Sequence, residues 1–227
     1  MSRTVRVAAL GGLLTAALAI AVTFVPTPAA DAAVGHGAVG HGAVGARAAF
    51  HDAMRQLWED HIVWTRQYIV SAATVPGDLA DIGPTADRLL ANQADIGDAL
   101  RPFYGDAAGD AVTALLRDHI LTAAQLIGAA KAGDAAGVDA AAAAWYANGD
   151  DIATALNGLN PKNWQLAEMK AHMKDHLDLT LEEAVARLEG RYADDIAAYD
   201  EIHAQILAMA DMLSDGIIAQ FPSAFAR

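Results

Sequence analysis

The stretch LWEDHIVWTR, residues 57–66, contains the tripeptide DHI at 60–62, and this tripeptide organises the rest of the chain. The same tripeptide returns at 118–120, and a close copy, DHL, occurs at 175–177. The three histidines are therefore 58 and 57 residues apart. This nearly constant interval predicts three copies of one structural unit. If the copies pack about a common axis, three imidazoles converge in a shared interior.

Each histidine lies in a pattern typical of an α-helix with one buried side. Around His61, large side chains recur at intervals of four and three residues, which is the helical period. That series runs Phe50, Met54, Leu57, His61, Trp64 and Tyr68. His119 and His176 occupy equivalent positions in their own series. No segment alternates with period two, so we predict an all-α protein without a sheet.

Six helices are predicted, separated by glycine, proline and asparagine signals. They cover residues 46–74, 85–105, 106–132, 134–158, 162–189 and 191–220. Thr85 is the predicted N-cap of the second helix, and Pro102 is predicted to kink or end that helix. Because the connections within each pair are short, the helices should form three antiparallel hairpins in an up-and-down bundle.

The composition excludes several kinds of partner and metal ligand. The chain has 227 residues with 15 basic and 28 acidic side chains, for a formal charge of −13. Such an acidic surface repels phosphate backbones, so we expect no nucleic-acid partner. There is no cysteine, which excludes disulfides and thiolate ligands. Any metal site must use imidazole, carboxylate or other oxygen ligands.

The amino terminus predicts export. Arg3 and Arg6 precede an apolar run, and the small-residue segment ADA at 30–32 offers a cleavage site. We assign residues 1–32 to a signal peptide, residues 33–45 to a flexible Gly/His-rich linker and residues 46–227 to the helical domain. Cleavage would leave a secreted or extracytoplasmic protein without a membrane span. An uncleaved segment would act as a membrane tether, since about 19 apolar residues almost span a bilayer.

The second helices of the predicted hairpins also resemble each other. NQADI at 92–96 and NGDDI at 148–152 share Asn, Asp and Ile and are 56 residues apart. The third copy is ambiguous, since both Asp211 and Asp195 are candidates for the matching aspartate. We favour Asp211, because the number of residues between it and the preceding histidine is closer to the number in the other two copies.

The regular histidines predict a metal centre. Three buried imidazoles would compete for few hydrogen-bond partners, whereas one divalent cation satisfies three ring nitrogens at once. Carboxylates are predicted as additional ligands or as groups that orient the rings. The complete set of predicted ligands is His61, His119, His176, Asp95, Asp151, Glu183, Asp200 and Asp211. Zinc, iron or copper would suit imidazole and oxygen ligands. Nearby threonines, Thr65, Thr122 and Thr180, could bond the imidazoles.

Three other interpretations fit the same residues. The histidines could be retained only as core packing. The chain could be a non-catalytic binding module, whose tryptophans line an apolar groove for a small ligand or a partner helix. It could also be an enzyme in which His61 and an aspartate act as a general acid–base pair.

Four segments of the chain resemble a family of bacterial exported helical proteins. They are residues 57–66, PFYG at 102–105, WYANGDDIA at 145–153, and residues 199–217. Together they span most of the mature chain. The resemblance implies one compact all-helical domain. The family has no established activity, so the resemblance implies no catalytic residue.

Overall fold

Six α-helices account for most of the residues that the computed structural model describes, which are residues 38–75 and 77–226. Their bounds are α1 Ala38–Ala72, α2 Ile82–Tyr104, α3 Asp106–Ala132, α4 Ala135–Leu159, α5 Leu166–Leu188 and α6 Tyr192–Gln220, followed by a 3-10 turn at Pro222–Phe225. No strand occurs among the described residues, so the all-α prediction is confirmed. The predicted signal peptide and residues 33–37 of the predicted linker lie outside them.

The helices form a closed ring. Each helix packs against the helix before and after it in the chain, and α1 also packs against α6. Because the connections are short, successive helices run antiparallel, so α1, α3 and α5 all run in the same direction. α1 contacts both α3 and α5 in addition to its ring neighbours. These three helices carry His61, His119 and His176 and bring them towards the interior.

Two of the sharp connections depend on glycine. Gly133 ends α3 with φ 69° and Gly190 follows α5 with φ 73°, both in the left-handed region that favours glycine. Asp134 then begins α4, because its side chain accepts a hydrogen bond of 3.0 Å from the backbone N–H of Gly137. The α3–α4 turn is therefore specified by neighbouring residues.

Helix starts differ from the sequence prediction at three places. α1 begins at Ala38, inside the segment predicted as a flexible linker, where alanines supply helix propensity against the cost of the glycines. α2 begins at Ile82 with Asp81 as its N-cap, so the prediction of Thr85 as N-cap is wrong. Thr85 lies inside the helix and is buried. Pro84 allows this, because the first helical residues need no N–H partner.

Pro102 does not end α2, which continues to Tyr104. The loss of one hydrogen bond there falls in the last turn, where the helix is about to stop at Gly105. α5 begins at Leu166, later than predicted, because the preceding residues form a separate turn. In that turn Trp164 N donates to Asn160 O at 2.8 Å, and Asn160 Nδ2 donates to Gly216 O at 2.8 Å.

One apolar core fills the ring over most of its length. A smaller cluster of Ile69, Ala72, Ile127 and Ala184 lies near the C-terminal ends of α1, α3 and α5. α6 is long and apolar enough to cross a membrane by length and composition alone. Ile206 and Ile217 of this helix are fully buried in the core, whereas Tyr192 and Ile196 near its start are exposed.

Candidate metal centre

Three imidazoles meet at the centre of the ring. His61, His119 and His176 each offer one ring nitrogen, and these three nitrogens lie within 4.8 Å of one another. The ring centroids are 5.6 Å apart for His61 and His176, and 6.4 and 6.3 Å apart for the pairs that include His119. All three residues are buried, with 2–3% exposure. The predicted convergence of the histidines is thus observed.

Helix register explains why they meet. The histidines lie 11, 13 and 12 residues before the ends of their helices, counted to Ala72, Ala132 and Leu188. Since the three helices are parallel, equal depth places the rings in one layer across the bundle. At a rise of 1.5 Å per residue, this layer lies about 16–20 Å from the hairpin ends.

Burial keeps these imidazoles neutral. Burial, together with the neighbouring His176 and His119, lowers the pKa of His61 well below its ordinary value. Burial is also the main reason that the pKa of His119 falls to about 3 and that of His176 to about 4. A neutral imidazole has one nitrogen lone pair free to bind a metal, so at pH 7 the site needs no deprotonation.

An asparagine on α4 fixes the orientation of one ring. Asn148 Oδ1 lies 3.1 Å from His119 Nδ1, while Asn148 Nδ2 donates to the backbone carbonyl of Leu115 at 3.1 Å. The bond to Leu115 orients the amide, so its oxygen must accept from the ring. We therefore assign the proton of His119 to Nδ1, which leaves the Nε2 lone pair for the interior.

The same amide contact recurs in the other two hairpins. Asn92 Nδ2 donates to Leu57 O, and Gln205 Nε2 donates to His172 O, each at 3.0 Å. In all three hairpins the accepting carbonyl belongs to the residue four positions before the central histidine. The second helix of every hairpin therefore supplies a side-chain amide that donates a hydrogen bond to the backbone of the first helix, one turn before its histidine.

Amide oxygens also lie close to the two remaining rings. Gln93 and Gln205 are near enough to His61 and His176 to oppose part of the fall in their pKa values. Among the described residues, neither amide Oε1 has a hydrogen-bond partner, and neither does Nδ1 of either ring. A small rotation would pair each oxygen with its Nδ1–H. Such pairing would leave the Nε2 lone pairs of His61 and His176 free, as the Asn148 contact does for His119.

Three of the predicted carboxylate ligands lie on the surface. Asp95, Asp151 and Asp200 are exposed. Asp95 Oδ2 lies 3.5 Å from Nη1 of Arg88, two turns earlier on the same helix. Their helical positions point away from the interior that the histidines occupy, so they do not belong to the group of close ligand atoms.

The other two predicted carboxylates are engaged elsewhere. Asp211 pairs with Arg55 and lies 3.5 Å from His51. Glu183 is buried, but its Oε1 accepts from Arg66 Nη1 at 2.6 Å in a separate charged cluster. Among the described residues, the close group at the centre consists of histidines alone. Within the described part of the chain, no carboxylate oxygen belongs to the close group that includes His61, and neighbouring Asp60 pairs with Arg88 at 3.2 Å.

The threonines and tryptophans also differ from expectation. The hydroxyls of Thr65 and Thr180 donate to the carbonyls of His61 and His176 at 2.8 Å, and Thr122 likewise bonds backbone carbonyls of its own helix. They do not bond the imidazoles. Three tryptophans, Trp58, Trp145 and Trp164, are buried in the core. Trp64 is half-buried against Arg88, so the four do not share one groove.

No role was predicted for the three amides, although they recur at a regular interval in the sequence. Asn92 and Asn148 are aligned in the two matching segments, and Gln205 follows Asn148 by 57 residues. In this register Met209 and Leu213 correspond to Ile152 and Leu156, and all four are buried. The position of the aspartate then falls on Ala208. Neither Asp211 nor Asp195 occupies the matching place.

Comparison with protein-family models, with curated proteins and with solved structures finds no match to this chain. The chemistry of the site must therefore be judged from its own donors. Three buried neutral imidazoles, of which His119 is oriented by the Asn148 amide, fit the donor set of a three-histidine zinc, copper or iron site. Two nitrogens bound tetrahedrally to one zinc lie about 3.4 Å apart, so the rings need only a small inward movement.

Proposed function

We propose that this chain is an exported metal-binding protein that holds one transition-metal ion between His61, His119 and His176. The observation that carries the proposal is the convergence of three buried ring nitrogens within 4.8 Å. Histidines that are buried only for packing need a partner for each nitrogen, or they cost about 1–3 kcal/mol each. A metal ion satisfies three of these nitrogens together.

The donor set favours an ion with an open coordination position. Three neutral imidazoles leave the full charge of the cation uncompensated, and no carboxylate joins them among the described residues. A divalent ion would then take a fourth ligand, such as hydroxide or another small anion, to reduce the charge buried in the core. Copper(I) would bury only a single positive charge. Zinc, copper and iron are the ions that we propose to test.

Export is proposed from the amino-terminal sequence. Arg3 and Arg6, the apolar run and the small residues at 30–32 support cleavage by a signal peptidase. Sequencing the amino terminus of the protein recovered from its native host would test this part. A mature chain that begins near residue 33 is expected, and a chain that retains residues 1–32 would contradict it.

The metal proposal is tested on residues 33–227, purified without a histidine tag. We expect one equivalent of zinc, copper or iron by elemental analysis, or stoichiometric uptake after removal of metal with a chelator. Cobalt(II) is a useful probe, because nitrogen coordination in a tetrahedral site gives visible ligand-field bands. Changing His61, His119 or His176 to alanine should abolish stoichiometric binding.

His203→Ala is the matched control. His203 is also a histidine on a bundle helix, but it pairs with Glu59 at 2.9 Å on the surface. This variant should bind metal like the unmodified protein. Absence of uptake by the folded protein, or equal loss in the control, would overturn the proposal.

A further inference from the structure

A small apolar cavity, partly open to the surface, begins one helical turn above the histidine layer. Its wall includes Thr65, Ala123 and Thr180, which follow the three histidines by four residues each. Residues four apart lie on the same side of a helix, about 6 Å along its axis. The cavity therefore lies over the same interior as the imidazoles, on the side of the C-terminal ends of α1, α3 and α5.

The next turn continues the wall with larger apolar groups. Ile69, Ile127 and Ala184 follow the histidines by eight residues each and also line the cavity. They are the residues of the small apolar cluster at this end of the bundle. The residues four and eight positions after the histidines therefore form two successive layers of the cavity wall.

Few polar atoms face this space. The hydroxyls of Thr65 and Thr180 already donate to carbonyls of their own helices. Besides these, Tyr68 and Trp145 are the lining residues that carry a polar side-chain atom. A buried water usually needs two to four hydrogen-bond partners, so water is poorly held here. The chemistry of the wall favours an uncharged apolar occupant.

The size of the cavity limits that occupant. Its volume is about 80 Å³. An engineered apolar cavity of about 150 Å³ binds benzene or xenon in another protein, so this space suits something smaller than benzene. A diatomic gas, a xenon atom or a short alkane would fit this limit.

The cavity and the histidine layer share a wall. Trp145 lines the cavity, and its indole stacks on the His119 ring with 5.4 Å between the ring centroids. The backbones of His61 and His176 are joined to the cavity wall by the two threonine hydroxyls. An occupant would therefore lie next to the imidazoles without displacing them.

We propose that this cavity is a binding site for a small uncharged apolar molecule, of the size of a diatomic gas or a short alkane, held beside the histidine centre. Occupation of the cavity is independent of any metal. The further role of the cavity, to bring such a molecule to an open coordination position of a bound metal, rests on the proposed function. Testing the cavity in metal-free protein separates the two.

Xenon is the probe for the metal-free protein, and carbon-13-labelled isoleucine methyl groups are the reporters. We expect saturable shifts of the Ile69 and Ile127 methyl signals as the xenon pressure rises. The signal of Ile202, which is buried elsewhere in the core, should stay in place. Equal shifts at all three, or a linear response without saturation, would overturn the proposal.

Two variants fill the space. Ala184→Leu and Ala123→Leu each place three more carbon atoms at the cavity wall, and each should abolish the saturable shift. Ala143→Leu on the exposed side of α4 is the control and should leave it unchanged. Retained saturation in a folded filled variant would also overturn the assignment. If neither filled variant folds, the residue-specific titration of the unmodified protein decides alone.

Discussion

Asn148 Oδ1 accepts from His119 Nδ1 at 3.1 Å, while the NH2 of the same amide donates to the carbonyl of Leu115. One side chain of α4 thus holds both the backbone and the ring of α3. Because the amide is anchored at its nitrogen, the ring cannot rotate without losing its partner. The amide sets the direction in which His119 presents its lone pair.

Replacement of Asn148 by alanine should therefore weaken metal binding without removing it. Groups that orient a ligand typically contribute about 10–100-fold in metal affinity, and we expect a loss in that range. Competition against a coloured chelator measures the affinity. Gln220→Ala is the control, because Gln220 is exposed near the end of α6 and should not affect it. Unchanged affinity in Asn148→Ala would show that the amide does not orient the ring.

Protonation of the histidines should hardly change the metal affinity between pH 5.5 and 7.5. The pKa values of His119 and His176 are about 3 and about 4, so these two rings stay neutral in this range, and burial also disfavours the protonated form of His61. We expect a change of less than about twofold from ligand protonation. Three exposed histidines with ordinary pKa values would lose about 10³-fold over the same interval. Titrations at several pH values distinguish the two cases.

The same pKa values predict acid sensitivity of the metal-free fold. In the unfolded chain histidine takes up a proton near pH 6.5, but in the folded protein the pKa is about 3 for His119 and about 4 for His176, and burial lowers the pKa of His61 as well. Stability is therefore full above pH 6.5 and falls as the pH drops towards 4, by up to about 1.4 kcal/mol per pH unit for each histidine. Urea unfolding at pH 7.5 and 5 measures the change. Replacing all three histidines with glutamine should remove this loss and leave the opposite contribution of Glu183, whose raised pKa of about 7 stabilises the fold as the pH falls.

Arg66 should be far more important for stability than Arg55, although both lie on α1. Arg66 Nη1 bridges Glu183 at 2.6 Å and Asp195 at 2.7 Å, and both carboxylates are buried. Arg66→Ala would leave them without this cation, at a cost of about 3–5 kcal/mol. Arg55 forms a partly exposed pair with Asp211, which solvent screens, so Arg55→Ala should cost much less stability than Arg66→Ala. Chemical denaturation at pH 8 compares the two.

The pH dependence of the Arg66→Ala effect gives a second check. Burial raises the pKa of Glu183 to about 7 even with Arg66 present. At pH 5 the unpaired Glu183 would be protonated, so the destabilisation should be smaller than at pH 8. A penalty of equal size at both pH values would indicate lost packing instead of an unpaired charge.

Two glycines in helices should respond in opposite ways to alanine. A Cβ at Gly216 would lie 2.0 Å from Trp164 Nε1, and the indole is fully buried. Gly216→Ala should therefore destabilise the fold by about 1–3 kcal/mol or more. A Cβ at Gly128 meets nothing within 4 Å, so Gly128→Ala should stabilise by up to about 1 kcal/mol. Thermal unfolding of both variants tests the pair.

The sequence was sufficient to predict the helices and the three histidines, because both follow from regular spacing. Buried side chains recur every three or four residues, and a histidine placed in such a series must face the interior. The carboxylates were less predictable. Asp95 and Asp151 match each other in sequence but lie on the exposed side of α2 and α4, where a repeated residue has no geometric reason to approach the centre.

Glu183 shows a second limit of sequence reasoning. It lies on the buried side of α5, but its partner Arg66 is 117 positions away in the chain. No local pattern reveals which buried acid is already neutralised by a distant cation. The start of α2 was also difficult to predict, because proline occurs both in turns and in the first turn of a helix. Pro84 lies in the first turn of α2.

The ring closes only when α6 reaches α1. A polypeptide synthesised as far as α4 possesses two of the three imidazoles, and the third arrives with α5. Even then one flank of α1 stays uncovered until the last helix is made. The three-histidine layer is therefore completed late in synthesis, after α5 has been made, and its outer wall is completed only with α6.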